Sequence, residues 1–371
     1  MKKETIKKYL PYAIALIVFL CVTIIYCFPM LQGKKMNQGD TKNWEGMVQE
    51  TLEFNKDKSG RETTWWTNSM FGGMPTFQMS DTSLSNVFLG KVESIVKLNL
   101  PSAMGIIICY LICFFILLRA IGINKWLSIC GSVAIAFSSY FFIIIAAGHV
   151  TKAFGIAYVS AVMGGFIFIF KKKYYWGVPI TMFFSALGLL KHPQMTYYIF
   201  LTIALLYIAE VVIHVKEKRY KDLGIATSLF LVSVLVAFGT RYGSFKANSQ
   251  YLSETMRGGH SEIVTENSEE TLSNASGLSL EYATQWSYGI DETMTLLIPN
   301  FKGGSSHYKV GEKSEIYETL IKNGVPRRSA AEFCQSLPMY WGTQPFTSGP
   351  VYVGAIVVFL FVLGIFIVKG P

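Results

Sequence analysis

Apolar residues in this chain fall into long runs separated by short, mostly basic connections. Eight such runs can be read: 11–30, 103–118, 127–147, 153–170, 177–190, 195–215, 223–239 and 351–368. Most approach the roughly 20 residues a helix needs to cross a bilayer. The run 177–190 is short and reads as a re-entrant or strongly broken helix. Between the first two runs the period changes. Trp44, Met47, Val48 and Leu52 recur at helical spacing over 41–54, which predicts an amphipathic helix lying along a surface. A second amphipathic helix is predicted over 314–322, stopped by Gly324 and Pro326. The expectation is an all-α polytopic membrane protein.

Composition agrees with that pattern. Of 371 residues, 51% are hydrophobic and only 15% charged, against roughly 25% charged in a soluble domain. The net charge of +9 does not point to nucleic acid, because the basic residues sit in clusters between apolar runs, as topology signals do. With the N-terminus inside, the inner connections hold Lys2, Lys3, Lys7 and Lys8; Arg119 with Lys125; Lys171 to Lys173; Lys216, Lys218, Arg219 and Lys221; and Lys369. The short outer connections carry only Lys152 and Lys191. This arrangement divides the chain into a first span (1–32), a first outer loop (33–100), spans two to seven (101–239), a large outer loop (240–350) and a last span (351–371). The first apolar run is too long for a cleaved signal peptide and is read as a retained anchor. Because the chain stops directly after a span, a fragment of a longer protein is expected. The six cysteines form no CxxC or Cys/His cluster, so no zinc site or disulfide framework is indicated.

Chemistry is expected on the outer face. Asp40 follows the first span and opens the amphipathic helix. It reads both as a helix N-cap and, through partial desolvation at the interface, as a general base. His149 and Lys152 stand in AAGHVTKAFG, where Gly148 and Gly155 permit close backbone approach. Lysine and histidine at a helix start suit an anionic group such as phosphate, although Lys152 also fits snorkelling to the interface. The turn LKHPQMTYY repeats the theme with Lys191, His192 and Gln194, and Arg241 adds a cation at another span end. In the large loop, Gln285, Trp286 and Glu292 put polar groups beside aromatic rings, a combination suited to carbohydrate and equally found in an ordinary folded loop.

The segments GDTKNWEGM, WWTNSMFGGMP, GHVTKAFGIAY, KHPQMTYY and QWSYGIDE resemble the YfhO family of bacterial membrane proteins. More broadly, a first-loop Asp with interfacial helices and lipid-side cations resembles the GT-C class of integral-membrane glycosyltransferases. The resemblance implies a GT-C-like helix bundle in the bacterial cytoplasmic membrane. Its implied activity is transfer of a sugar from a polyprenyl-phosphate donor to a glycan, lipid or protein acceptor on the extracytoplasmic face. Asp40 would be the catalytic base, and no cofactor is implied. The absence of a second acid beside Asp40 departs from the paired-acid pattern of the class and leaves a divalent metal unassigned. Two other readings of the residues stand beside this one. One is a transporter or flippase of a lipid-linked sugar, which would place polar groups deep in the spans; the other is a non-catalytic glycan-binding membrane protein.

Overall fold

The computed structural model describes residues 2–57, 64–79, 84–255 and 280–368. The polar stretch 258–277 and Lys369 lie outside the described residues, as do the side chains of Lys2, Lys3, Lys7 and Lys8. The described chain is mainly helical with almost no sheet and divides into two compact units, one of residues 1–137 and 144–249, the other of 138–143 and 250–371.

In the first unit the helices run α1 (Lys2–Tyr26), α2 (Phe28–Leu31), α3 (Gly39–Asp57), α4 (Leu84–Val96), α5 (Ser102–Ile121), α6 (Lys125–Ala136), the last four residues of α7 (Ser139–Ala147), α8 (Val150–Phe170), α9 (Tyr174–Lys191), α10 (Pro193–Lys216), α11 (Tyr220–Gly239) and α12 (Tyr242–Tyr251) up to residue 249. A short antiparallel pair, β1 (Trp66–Thr67) with β2 (Met74–Pro75), lies between α3 and α4. Among the described residues, five helices are long and apolar enough to cross a membrane: α1 from Tyr9, α5, α8, α10 and α11. A sixth span results if α6 and α7, bent by 46° at their junction, are taken together. The expected run 177–190 is an 18-residue helix, α9, that carries Pro179 and falls outside that set.

Burial sorts these helices. Two thirds of the α8 window and 61% of the α5 window are buried, against 17% for α1, α10 and α11. So α5 and α8 form the centre, and the outer helices turn apolar side chains such as Leu205, Leu231 and Leu235 outward, where a bilayer would cover them. Helix α8 packs most extensively against α9, and small residues explain how. A Cβ added at Gly165 would come within 2.8 Å of the Thr181 backbone nitrogen, and one at Gly177 within 2.7 Å of that of Ile169. Close backbone approach of this kind is the main source of packing energy between helices that share an apolar solvent.

The helix ends are tied by local chemistry. Helix α5 stops at Gly122, whose φ of 112° only glycine adopts freely. Its last carbonyls, Ala120 and Ile121, accept hydrogen bonds from Lys171 Nζ at 2.9 and 2.6 Å, so a cation from the end of α8 meets the negative end of α5. Asn124 caps α6 by accepting from the Trp126 amide at 2.9 Å.

The second unit contains α13 (Leu280–Thr284), α14 (Glu315–Lys322), α15 (Arg327–Cys334) and α16 (Ala355–Ile367). The expected amphipathic helix is α14, capped by Ser314 and followed by Gly324 at φ 81°. The run 351–368 forms a helix of 13 residues, shorter than a full span.

Candidate functional site

The site is built where α3 begins. Gln38 precedes the helix, its carbonyl accepting the Lys42 amide at 3.1 Å and its side-chain oxygen accepting from Thr41 Oγ1 at 3.1 Å. Gln38, not Asp40, therefore occupies the capping place, and Asp40 lies inside the first turn. The Gln38 amide also donates to the Ile145 carbonyl at the end of α7. That bond holds the start of α3 against the turn between α7 and α8. The turn residue Gly148 makes the approach possible: its φ is 93°, and a Cβ there would lie 3.1–3.2 Å from Gln38, Thr41 and Asp40.

This packing brings the Asp40 carboxylate to 3.1 Å from His149 Nε2, with side-chain exposures of 59% and 43%. The distinguishing feature of Asp40 in the fold is its imidazole partner. Lys152 lies one turn further along α8. Gly155, a turn beyond that, packs on the turn between α9 and α10, where an added Cβ would come within 2.9 Å of His192 Cβ. Burial, then the nearby Lys152 and, more weakly, His149 hold the His192 imidazole below its ordinary pKa. His192 Nδ1 accepts from the Met195 amide at 3.4 Å, capping α10 in neutral form. Asp40, His149, Lys152 and His192 thus gather around one end of α8.

The remaining predicted residues are placed differently. Lys191 is committed to Glu93, at 2.9 Å, and its ammonium stands 5.4 Å from the centre of the Phe154 ring. Arg241 donates to the Asn86 side chain, and Gln194 donates to the Tyr198 hydroxyl at 2.7 Å. Gln285, Trp286 and Glu292 belong to the second unit. There Glu292 is buried and accepts from the Tyr340 hydroxyl at 2.6 Å, while burial and that bond push the Tyr340 phenol up to about 12. The Trp286 carbonyl accepts from Gln344, and its ring meets Phe346 edge-on at 4.6 Å.

Sequence reasoning missed Glu93 and Tyr158. Glu93 is 5% exposed and accepts from the Tyr158 hydroxyl at 3.2 Å in addition to its Lys191 contact. Helix α4 also carries Asn86, Lys91 and Ser94, so Glu93 reads as part of a polar face, and its partners lie 65 and 98 residues away. Glu50 was also unmarked. It accepts from the Asn68 amide at 2.7 Å, from Ser69 Oγ at 3.1 Å and from Thr67, so the carboxylate is held below its usual range, first by the Thr67 hydroxyl. In this way α3 pins the hairpin that exposes Trp65, Trp66 and Phe71. Of the expected amphipathic face of α3, Val48 is buried with Thr51, whereas Trp44 and Leu52 remain exposed.

Among the described residues, no group of three or more His, Cys, Asp or Glu side chains is arranged to hold a metal ion. Compared with known proteins, the chain matches no family model, no curated protein and no solved structure.

Proposed function

We propose that this chain is a GT-C-type membrane glycosyltransferase that moves a sugar from a polyprenyl-phosphate donor to an acceptor hydroxyl on the extracytoplasmic face. The carrying observation is the exposed Asp40–His149 pair, 3.1 Å apart, with Lys152 and His192 beside it. In this reading Asp40 takes the proton of the acceptor hydroxyl. The acceptor oxygen then bonds to the anomeric carbon as the bond from that carbon to the lipid phosphate oxygen breaks, with inversion. His149 orients the carboxylate, and Lys152 faces the charge that grows on the departing phosphate. Eight spans with the lysine-rich ends cytoplasmic complete the proposed topology.

General-base assistance of this kind contributes about 10²–10⁴-fold. The test is consumption of a labelled polyprenyl-phosphate sugar pool by membranes containing wild type or Asp40→Asn at equal expression. Donor loss confined to wild type supports the reading; equal loss in both removes Asp40 from the chemistry.

One observation favours a second reading, transport of a lipid-linked sugar. The Glu93–Lys191 pair is sunk among apolar helices, and α9 carries two buried hydroxyls, Thr181 and Ser185, with no hydrogen-bond partner among the described residues. Buried ionisable groups of this sort mark transport routes in many membrane proteins. Transfer of intact donor across sealed vesicles, without its consumption, would select this alternative.

A further inference from the structure

At the opposite end of α8 from His149, about 31 Å away for a helix of 21 residues, the first unit holds a cavity of about 1040 Å³. Its polar wall is cationic: Arg119 from the end of α5, Lys125 from the start of α6, and Lys172 and Lys173 from the turn between α8 and α9. Lys172 is paired with Asp222 at 2.6 Å. Among the described residues lining the cavity there is no carboxylate. Arg119 gives one terminal nitrogen to the Ile123 carbonyl, while its Nε is buried with no hydrogen-bond partner among the described residues. A guanidinium with an unused buried donor is a costly arrangement unless an acceptor completes it.

Two lysines are steered by aromatic rings as well. Lys125 Nζ stands 5.0 Å from the centre of the Tyr12 ring, and Lys173 Nζ 5.6 Å from that of Phe168. Deeper in, the wall is apolar, formed by Phe115, Ile116 and Ile180, and at the rim Tyr175 and Trp176 are 83% and 61% exposed. Tyrosine and tryptophan in that position mark the headgroup level of a bilayer. The cavity therefore grades from aromatic rim through a ring of cations to an apolar floor.

We infer that this cavity is a binding site for an anionic glycerophospholipid of the leaflet at the lysine-rich side. The phosphate lies between Arg119, Lys125 and Lys173, and acyl chains run along Phe115 and Ile116. Charge complementarity selects the occupant, because a zwitterionic headgroup would bring its own cation into a wall that already holds four. The graded wall selects a lipid over a free phosphate, which would leave the apolar floor unused. Nothing in this inference depends on the glycosyltransferase reading.

The test is thermal unfolding of the full chain in neutral detergent, with phosphatidylglycerol or phosphatidylcholine of identical acyl chains added. Inorganic phosphate and glycerophosphoglycerol serve as chain-free probes. Phosphatidylglycerol should raise Tm by about 3 °C or more beyond phosphatidylcholine, and the Lys125→Gln/Lys173→Gln double variant should lose most of that difference. Lys309→Gln, in the second unit, should keep it. Equal effects of the two lipids, an undiminished difference in the double variant, or a full shift with either chain-free probe would each overturn the proposal. If the double variant does not purify, Lys173→Gln alone gives the same reading.

Discussion

Two carboxylates of the first unit each meet a basic side chain, and they differ in nearly everything else. Asp40 and His149 face one another with about half of each side chain exposed, 59% and 43%. Glu93 and Lys191 are 7% and 24% exposed, and the carboxylate is further bound by Tyr158. An exposed pair of this kind contributes about 0–1 kcal/mol to stability. Breaking a buried one leaves a bare charge and costs about 3–5 kcal/mol. One pair is thus open to solvent, and the other is a rivet between α4, α8 and the end of α9. Exposure separates them as much as residue type does.

The contrast can be broken most sharply by exchanging what each pair governs. Asp40→Asn is expected to reduce donor turnover by about 10²–10⁴-fold while leaving Tm nearly unchanged; a large loss of Tm would make Asp40 a structural residue like Glu93. Glu93→Ala should do the reverse, destabilising the fold by about 3–5 kcal/mol, read as a loss of monodisperse protein and a lowered Tm. If Glu93→Ala unfolds as wild type does, the rivet is misassigned. Tyr158→Phe removes one bond to the same carboxylate and should cost about 1.5–3 kcal/mol, measured as the Tm difference. A Tyr158→Phe variant that is as damaging as Glu93→Ala would mean that the phenol, not the lysine, satisfies Glu93.

The smallest expected effect is on pH dependence. His192 is held below its ordinary pKa of 6.5, chiefly by burial. Between its unfolded and folded pKa values the unfolded chain binds a proton that the folded chain does not. Its contribution is therefore complete above about 6.5 and is lost as pH falls through the folded value. His192→Asn, which retains a capping acceptor, should flatten that part of a Tm-against-pH curve. An unchanged slope would assign the acid sensitivity elsewhere.

These pairs also show how much was readable in advance. Asp40 was visible because an acid directly after an apolar run and before an amphipathic helix is a local pattern. Gly148 and Gly155 were visible as places of close approach, and the structure uses both, against Gln38–Thr41 and against His192. Glu93 was not visible, since a glutamate on a helix between Val92 and Ser94 reads as a solvated face until Lys191 and Tyr158 are folded onto it. Lys191, like Lys152, was read as a cation of a short outer connection; the fold separates it from Lys152 by giving it a carboxylate.

Membrane character, helical content, the clustering of cations between apolar runs and an amphipathic helix over 41–54 were all determined by the sequence alone. Each depends on hydropathy or spacing over fewer than about 25 neighbouring residues, the length over which a helix exchanges water for lipid. Only tertiary structure decided that Asp40 meets His149 across 109 positions, that Glu93 is buried, and that Arg119, Lys125 and Lys173 share one cavity. Lipid solvates any apolar helix face equally well, so hydropathy does not select which helices touch. That choice rests on where small residues such as Gly165 and Gly177 let two backbones come close.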